Sequence, residues 1–173
     1  TALIVVANGL RAAGQRVWQI LPLTPPLMGD SPYLSESAFA GNEALISLEV
    51  LRDWGWLRQE ALDDFLAQGQ KTASWHSLAA YKAKILWDMS HDPDLTIPWE
   101  PFRAFCEKNA YWLDDYALFR AVRDFFGGRC WTEWPEDIRH HSREALAQYG
   151  RELAGAVSHV KFMQYIFSRQ WHD

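Results

Sequence analysis

The chain is expected to fold as a mainly α domain with one or two short strands, and three features carry that expectation. Beyond position 50, apolar residues recur every three or four places, the repeat of a helix with one buried face. Only one run, Arg16-Val17-Trp18-Gln19-Ile20-Leu21, is dense in β-branched and aromatic residues and stopped by a proline, as a strand is. Residues 22–43 show no helical period and contain four prolines together with Gly29 and Gly41. A structureless stretch of that length inside a compact domain is usually functional or disordered. Leu23, Leu27, Tyr33 and Phe39 supply enough apolar anchors to order it.

In chain order, Leu3, Val6, Leu10 and Ala13 line one face of a first helix that Gly14 stops. The strand and the long loop follow, and Ala44–Glu49 reads as a short extended piece leading to a helical turn near Leu51–Trp54. Glu60–Ala67 is a further short helix. Ser74 caps a helix over Trp75–Met89 whose face is Leu78, Tyr81, Ile85 and either Trp87 or Met89. From Pro101 the spacing of Phe102, Phe105, either Trp112 or Leu113, Tyr116, Phe119 and Val122 predicts helix up to Gly127-Gly128, with a break expected near Asn109–Trp112. The last helical region starts at Pro135, where Glu136 and Asp137 suit the positive end of the helix dipole. Its length predicts one interruption near Gly150 or Gly155. A lone strand must pair with something, and this sequence offers few partners.

At 173 residues, with 49% hydrophobic and 23% charged residues, the chain is long enough to bury a core. Ten of its twenty-five aromatic residues are Trp, whose flat faces pack cores, stack on sugar rings or form interfaces. A net charge of −5 with the signs interspersed leaves no basic face for phosphates, so nucleic acid is not an expected partner. No apolar run approaches the roughly 20 residues of a membrane span. The opening TALIVVANGL lacks the basic start and cleavage site of a secretory signal, which points to the cytoplasm. Cys106 and Cys130 show no metal-ligand spacing and are expected to be free thiols. A chain that begins at Thr1 rather than Met is expected to be cut from something longer.

Most constellations of catalytic residues are weak. His140-His141 and His159 have no second ligand at metal-binding spacing. Ser31 sits in no nucleophile elbow. Asp114 and Asp115 are adjacent on a helix and point about 100° apart, so one faces solvent and the other caps or pairs locally. The loop is more informative. Its Asp30-Ser31-Pro32-Tyr33 follows a strand, as the substrate-contacting loops of (β/α) barrels do. Tyr33 offers the flat face and hydroxyl that a sugar ring accepts. The competing reading is a plain turn made by Asp30 and Ser31, with Tyr33 merely packing.

Longer motifs decide between them. The stretches GQRVWQILPLTPP, GDSPYLSESAFAGN and LISLEVLRDWGWL resemble the N-terminal part of the 4-α-glucanotransferases, the amylomaltase or disproportionating-enzyme family. YWLDDYALFRAVRDFFGGRCWTEWPEDIR and VKFMQYIFSRQW resemble later segments of that family in the same order. The resemblance implies an N-terminal segment of a (β/α)8 TIM barrel: the first helix, strand and active-site loop over 1–48, a helical insertion over 49–134, and a helix returning to the barrel over 135–173. It implies a retaining transfer of a 1,4-α-glucan segment to a new 4-hydroxyl, without metal or organic cofactor, on maltooligosaccharides or starch- and glycogen-derived glucan. Such chemistry needs two carboxylates about 5 Å apart. In the family these come from strands beyond the segment that ends in QW, so this chain is expected to lack catalytic residues and to be inactive alone.

The resemblance assigns substrate binding to Asp30, Ser31 and Tyr33: Tyr33 and Ser31 at the glucose unit on the donor side, and Asp30 holding the loop. Three departures from the family stand out. Leu34-Ser35-Glu36 stand where it has Gln-Ser-Phe, Glu43 where it has proline, and Met28 where some members have a tyrosine that serves as a second glucan contact. The alternatives are a non-catalytic glucan-binding module, or a helical protein-interaction module that self-associates.

Overall fold

A computed structural model describes residues 2–27, 31–71, 74–95 and 98–172. Among these, eight α-helices are formed: α1 (Ala2–Ala12), α2 (Leu48–Asp53), α3 (Gln59–Lys71), α4 (Trp75–Ser90), α5 (Trp99–Phe125), α6 (Glu136–Arg139), α7 (Arg143–Glu152) and α8 (Ala154–His172). Two 3-10 turns, Glu43–Leu45 and Trp131–Glu133, complete the regular structure. The chain divides into two compact units, Thr1–Thr96 with Gln170–Asp173, and Ile97–Arg169.

The strand expected over Arg16–Leu21 is not seen. Residues 15–23 are irregular, and the one β pairing among the described residues is an isolated antiparallel bridge between Pro26 and Ser35. The cause is the shortage of partners: backbone groups of a strand need a neighbour to bond to, and without one the extended run has nothing to pair with. Val17 is 86% exposed and Leu21 57%.

In the first unit, α1 ends as the sequence requires. The Gly14 N–H donates to the Arg11 carbonyl and the Gln15 N–H to the Leu10 carbonyl, with Gly14 at φ 78°, a Schellman motif. The expected extended piece at Ala44–Glu49 is instead a 3-10 turn followed directly by α2, because Ser47 accepts the Val50 N–H and starts the helix early. The helix foreseen at Glu60–Ala67 runs longer, as α3. Ser74 caps α4 through the Ser77 N–H. Met89 rather than Trp87 takes the inner position: Met89 is buried beside Ile85 and Leu86, whereas Trp87 is exposed. Leu51 is fully buried, as are nearly Ile46 and Leu48; burial of each such side chain contributes roughly 1.5–3 kcal/mol.

In the second unit, α5 runs 27 residues without the break expected near Asn109. Asn109 does not compete with the helix. Its side-chain amide donates to the Phe105 carbonyl four residues back and accepts the Trp112 indole N–H, so its polar atoms are satisfied inside a regular helix. Phe102 of α5 meets Phe162 and Tyr165 of α8 at ring-centroid distances of 5.6 and 5.5 Å. A second cluster, Val122, Trp134, Ile138 and Ala145, is closed by Phe119, Phe126 and Tyr149. The last helical region breaks between α7 and α8 at Leu153, between the two glycines named from the sequence, and also at His140–Ser142, which was not expected.

Candidate functional site

The site builds from the loop over residues 23–47. Its neck is a short antiparallel clasp: the Leu27 N–H donates to the Leu34 carbonyl at 2.7 Å and the Glu36 N–H to the Pro25 carbonyl at 3.1 Å. Ser35 fastens the clasp, its hydroxyl facing the Pro25 carbonyl at 2.9 Å and the Ser37 carbonyl at 2.8 Å. Ser37 Oγ accepts the N–H groups of Phe39 and Ala40, both at 3.1 Å. Farther out, the Asn42 N–H donates to the Leu23 carbonyl at 2.7 Å and closes a larger ring around the first. Asn42 then caps the 3-10 turn through the Ala44 N–H.

At the tip, the Leu34 N–H donates to the Ser31 carbonyl at 3.3 Å, which makes Ser31–Leu34 a turn with Pro32 at the position where its fixed φ is favoured. A backbone turn is thus present at this motif, but Tyr33 does not pack as the turn reading expected: it is 76% exposed. Ser31 is exposed beside it. Asp30, the third residue assigned to substrate binding, lies outside the described residues, as does Met28. Of the departing positions, Leu34 is 46% exposed at the rim of the neck, beside Ser35, which matches the family.

The far end of the loop is held by side chains that the sequence did not single out. Lys82 on α4 donates to the Ala44 carbonyl at 2.7 Å. Burial lowers its ammonium to about 8, with Glu49 opposing that change. Glu49 is itself held below the usual carboxylate range, first by a hydrogen bond from Ser47. Gln170, near the end of α8, accepts the Ser47 N–H at 2.7 Å and donates to the Ser47 carbonyl at 3.1 Å. Ser47 could have been found from its place before the apolar pair Leu48 and Leu51. Gln170 is 123 positions away, and no spacing rule reaches that far.

Other residues weighed from the sequence lie elsewhere. His140 and His141 are exposed and line an open hollow with Phe119, Trp131 and Trp134 in the second unit. No group of three His, Cys, Asp or Glu side chains is arranged for a metal among the described residues. Asp114 pairs with Lys161 of α8 at 2.6 Å, a partner on another helix rather than the local one expected. Cys106 and Cys130 are both free. Burial pushes the Cys106 thiol up, and a hydrogen bond with Thr132 lowers that of Cys130. No helix among the described residues is long and apolar enough to cross a membrane.

A family profile described as 4-alpha-glucanotransferase matches residues 2–173. The chain belongs to the 4-alpha-glucanotransferase family. Relatives of that name include the protein of Thermus thermophilus, 41% identical over 166 residues, with 94% of this chain and 32% of the relative covered. Another is that of a Synechocystis strain, 38% identical, with 95% and 33% covered. Among solved structures, an amylomaltase from Streptococcus agalactiae in complex with acarbose superimposes with a TM-score of 0.85 at 28% identity, over 98% of this chain and 34% of that one. The chain thus spans about a third of the length of the 4-alpha-glucanotransferases it matches.

Proposed function

We propose that this chain is the N-terminal part of a retaining 4-α-glucanotransferase, and that the tip of its clasped loop holds a glucose unit of the donor glucan. The observation that carries the reading is Tyr33, an aromatic ring with three-quarters of its surface exposed at the end of a doubly fastened loop in a chain of this family. An exposed ring on a fixed backbone offers an apolar face to the C–H face of a sugar, and its hydroxyl reaches the rim. Ser31 adds a second donor or acceptor, and Asp30 belongs to the same motif. The acarbose bound in the Streptococcus agalactiae amylomaltase supports a maltooligosaccharide or a longer starch- or glycogen-derived glucan as ligand.

In this reading residues 1–48 supply the first helix, strand and active-site loop of a (β/α)8 barrel, 49–134 the helical insertion, and 135–173 the return to the barrel. Arg16–Leu21 becomes a strand once neighbouring strands offer their edges. The nucleophile and the acid/base, two carboxylates about 5 Å apart, stand on other strands of the parent enzyme, and transfer needs neither metal nor organic cofactor. The protein works in the cytoplasm. Exposed Val5, Val17, Trp18, Ile20 and Leu21 favour a second behaviour for the isolated chain, self-association through its uncovered apolar side chains.

The test compares the 173-residue chain with the protein expressed from the complete source coding sequence. On maltotriose, the complete protein is expected to release glucose and longer maltodextrins while the chain alone releases none. Tyr33→Ala in the complete protein is expected to lower kcat/KM about 10- to 100-fold, the scale of one lost stacking contact and hydrogen bond. Disproportionation by the purified chain itself, or an unaltered kcat/KM in Tyr33→Ala, would overturn the reading.

A further inference from the structure

The loop bearing Ser31 and Tyr33 is fastened to itself at its neck, but at its far end it is fastened to distant side chains. Gln170 meets Ser47 with both polar atoms of its amide, Oε1 accepting the Ser47 N–H at 2.7 Å and Nε2 donating to the Ser47 carbonyl at 3.1 Å. An amide facing one residue's N–H and C=O in this way makes the pair of bonds that a neighbouring β-strand would make. Ser47 has no slack left. Its Oγ accepts the Val50 N–H as the cap of α2 and donates to Glu49 at 2.7 Å. Immediately upstream, Ile46 is 1% exposed, and the Ala44 carbonyl is held by Lys82.

From Ser47 back to the tip the ties are continuous. The Ile46 N–H donates to the Glu43 carbonyl, Asn42 closes onto Leu23, Ser37 binds the N–H groups of Phe39 and Ala40, and Ser35 and Glu36 close onto Pro25. A rotation or slip at Ser47 has no free segment in which to be absorbed before it reaches Leu34 and Ser31. We propose that Gln170 is a positioning residue for the glucan-binding loop: by pairing with both backbone groups of Ser47 it fixes the register in which the loop enters α2, and with it the placement of Ser31 and Tyr33. This inference rests on the proposed glucan-binding role of that loop.

Gln170→Met keeps length and volume and removes both polar groups. Gln170→Glu turns the donor atom into a second acceptor facing the Ser47 carbonyl. In the protein from the complete coding sequence, both are expected to raise KM for maltotriose about tenfold with kcat changed less than about threefold, a split that mere loss of folded protein does not produce. In the 173-residue chain, hydrogen exchange of the Gln170→Met variant is expected to quicken at amides throughout 34–47 while those of α3 keep the wild-type rate. Exchange that quickens at Ser47 alone, or a KM within twofold of wild type in both variants, overturns the inference. If Tyr33→Ala lowers kcat/KM and Gln170→Met leaves KM unaltered, the positioning role falls and the loop's role stands. If Tyr33→Ala leaves kcat/KM unaltered, the loop's role falls. Exchange across 34–47 still reports on whether Gln170 holds the segment.

Discussion

Lys82 carries its ammonium into the space beside the Ala44 carbonyl, where burial brings its proton affinity down to about pH 8 from 10.5 in an exposed lysine. Between those two values the unfolded chain keeps a proton that the folded chain has released. Stability therefore rises with pH across that window, and the gain is lost as pH falls through 8. Wild type is expected to gain about 2 kcal/mol relative to Lys82→Met between pH 7 and pH 10, read as the difference of two urea titrations. Taking the difference cancels every group that titrates alike in the two proteins. A difference that stays constant with pH would show that Lys82 reaches water. At this scale the sequence was legible where a residue acts on near neighbours. Ser74 and Gly14 announced their caps, and Ser31-Pro32-Tyr33 announced a turn. Lys82 and Gln170 act across 38 and 123 positions, and a lysine or a glutamine on a helix looks the same whether it faces water or a carbonyl.

Helix ends repeat one device. At Gly14, Gly55 and Gly127 a left-handed glycine follows the helix, and paired N–H groups close onto the last turn. The end of α6 has the same bonds, His141 to the Ile138 carbonyl and Ser142 to the Asp137 carbonyl, but the left-handed residue is His141 at φ 56°. An L residue there costs about 1 kcal/mol relative to glycine. His141→Gly is accordingly expected to raise stability by about 0.5–1 kcal/mol, the larger unfolded-state freedom of glycine offsetting part of the gain. Thermal melting checks it, and a lower Tm would mean that the imidazole makes contacts worth more than the strain. The same substitution explains why this break was not legible: without glycine, the end of α6 reads as helix. The opposite error near Asn109–Trp112 arose from length: so long a helix was expected to break, yet Asn109 bonds back into it and it runs on for 27 residues. Elements with ordinary punctuation were placed from spacing alone.

For the whole molecule, family membership was legible because long motifs keep their order from Gly14 to Trp171. The expected strand over Arg16–Leu21 does not form, because no described segment offers it an edge to pair with, and Val17, Trp18, Ile20 and Leu21 stand exposed. Sedimentation velocity over a wide concentration range is expected to show the isolated chain associating, and Val17→Lys with Leu21→Lys to reduce it. A monomer at all concentrations would show that these side chains find cover within the chain. The clasped loop also bears on the order of folding. Its two closures are nested, Leu27 with Leu34 inside Leu23 with Asn42. The entropy lost on closing a loop grows only as the logarithm of its free length, so a ring already drawn shut at its centre closes at little further cost. The tip can therefore form early as a small kinetic unit, and residues added there would scarcely slow the outer closure, which leaves its length open to variation while the base of the loop stays constant.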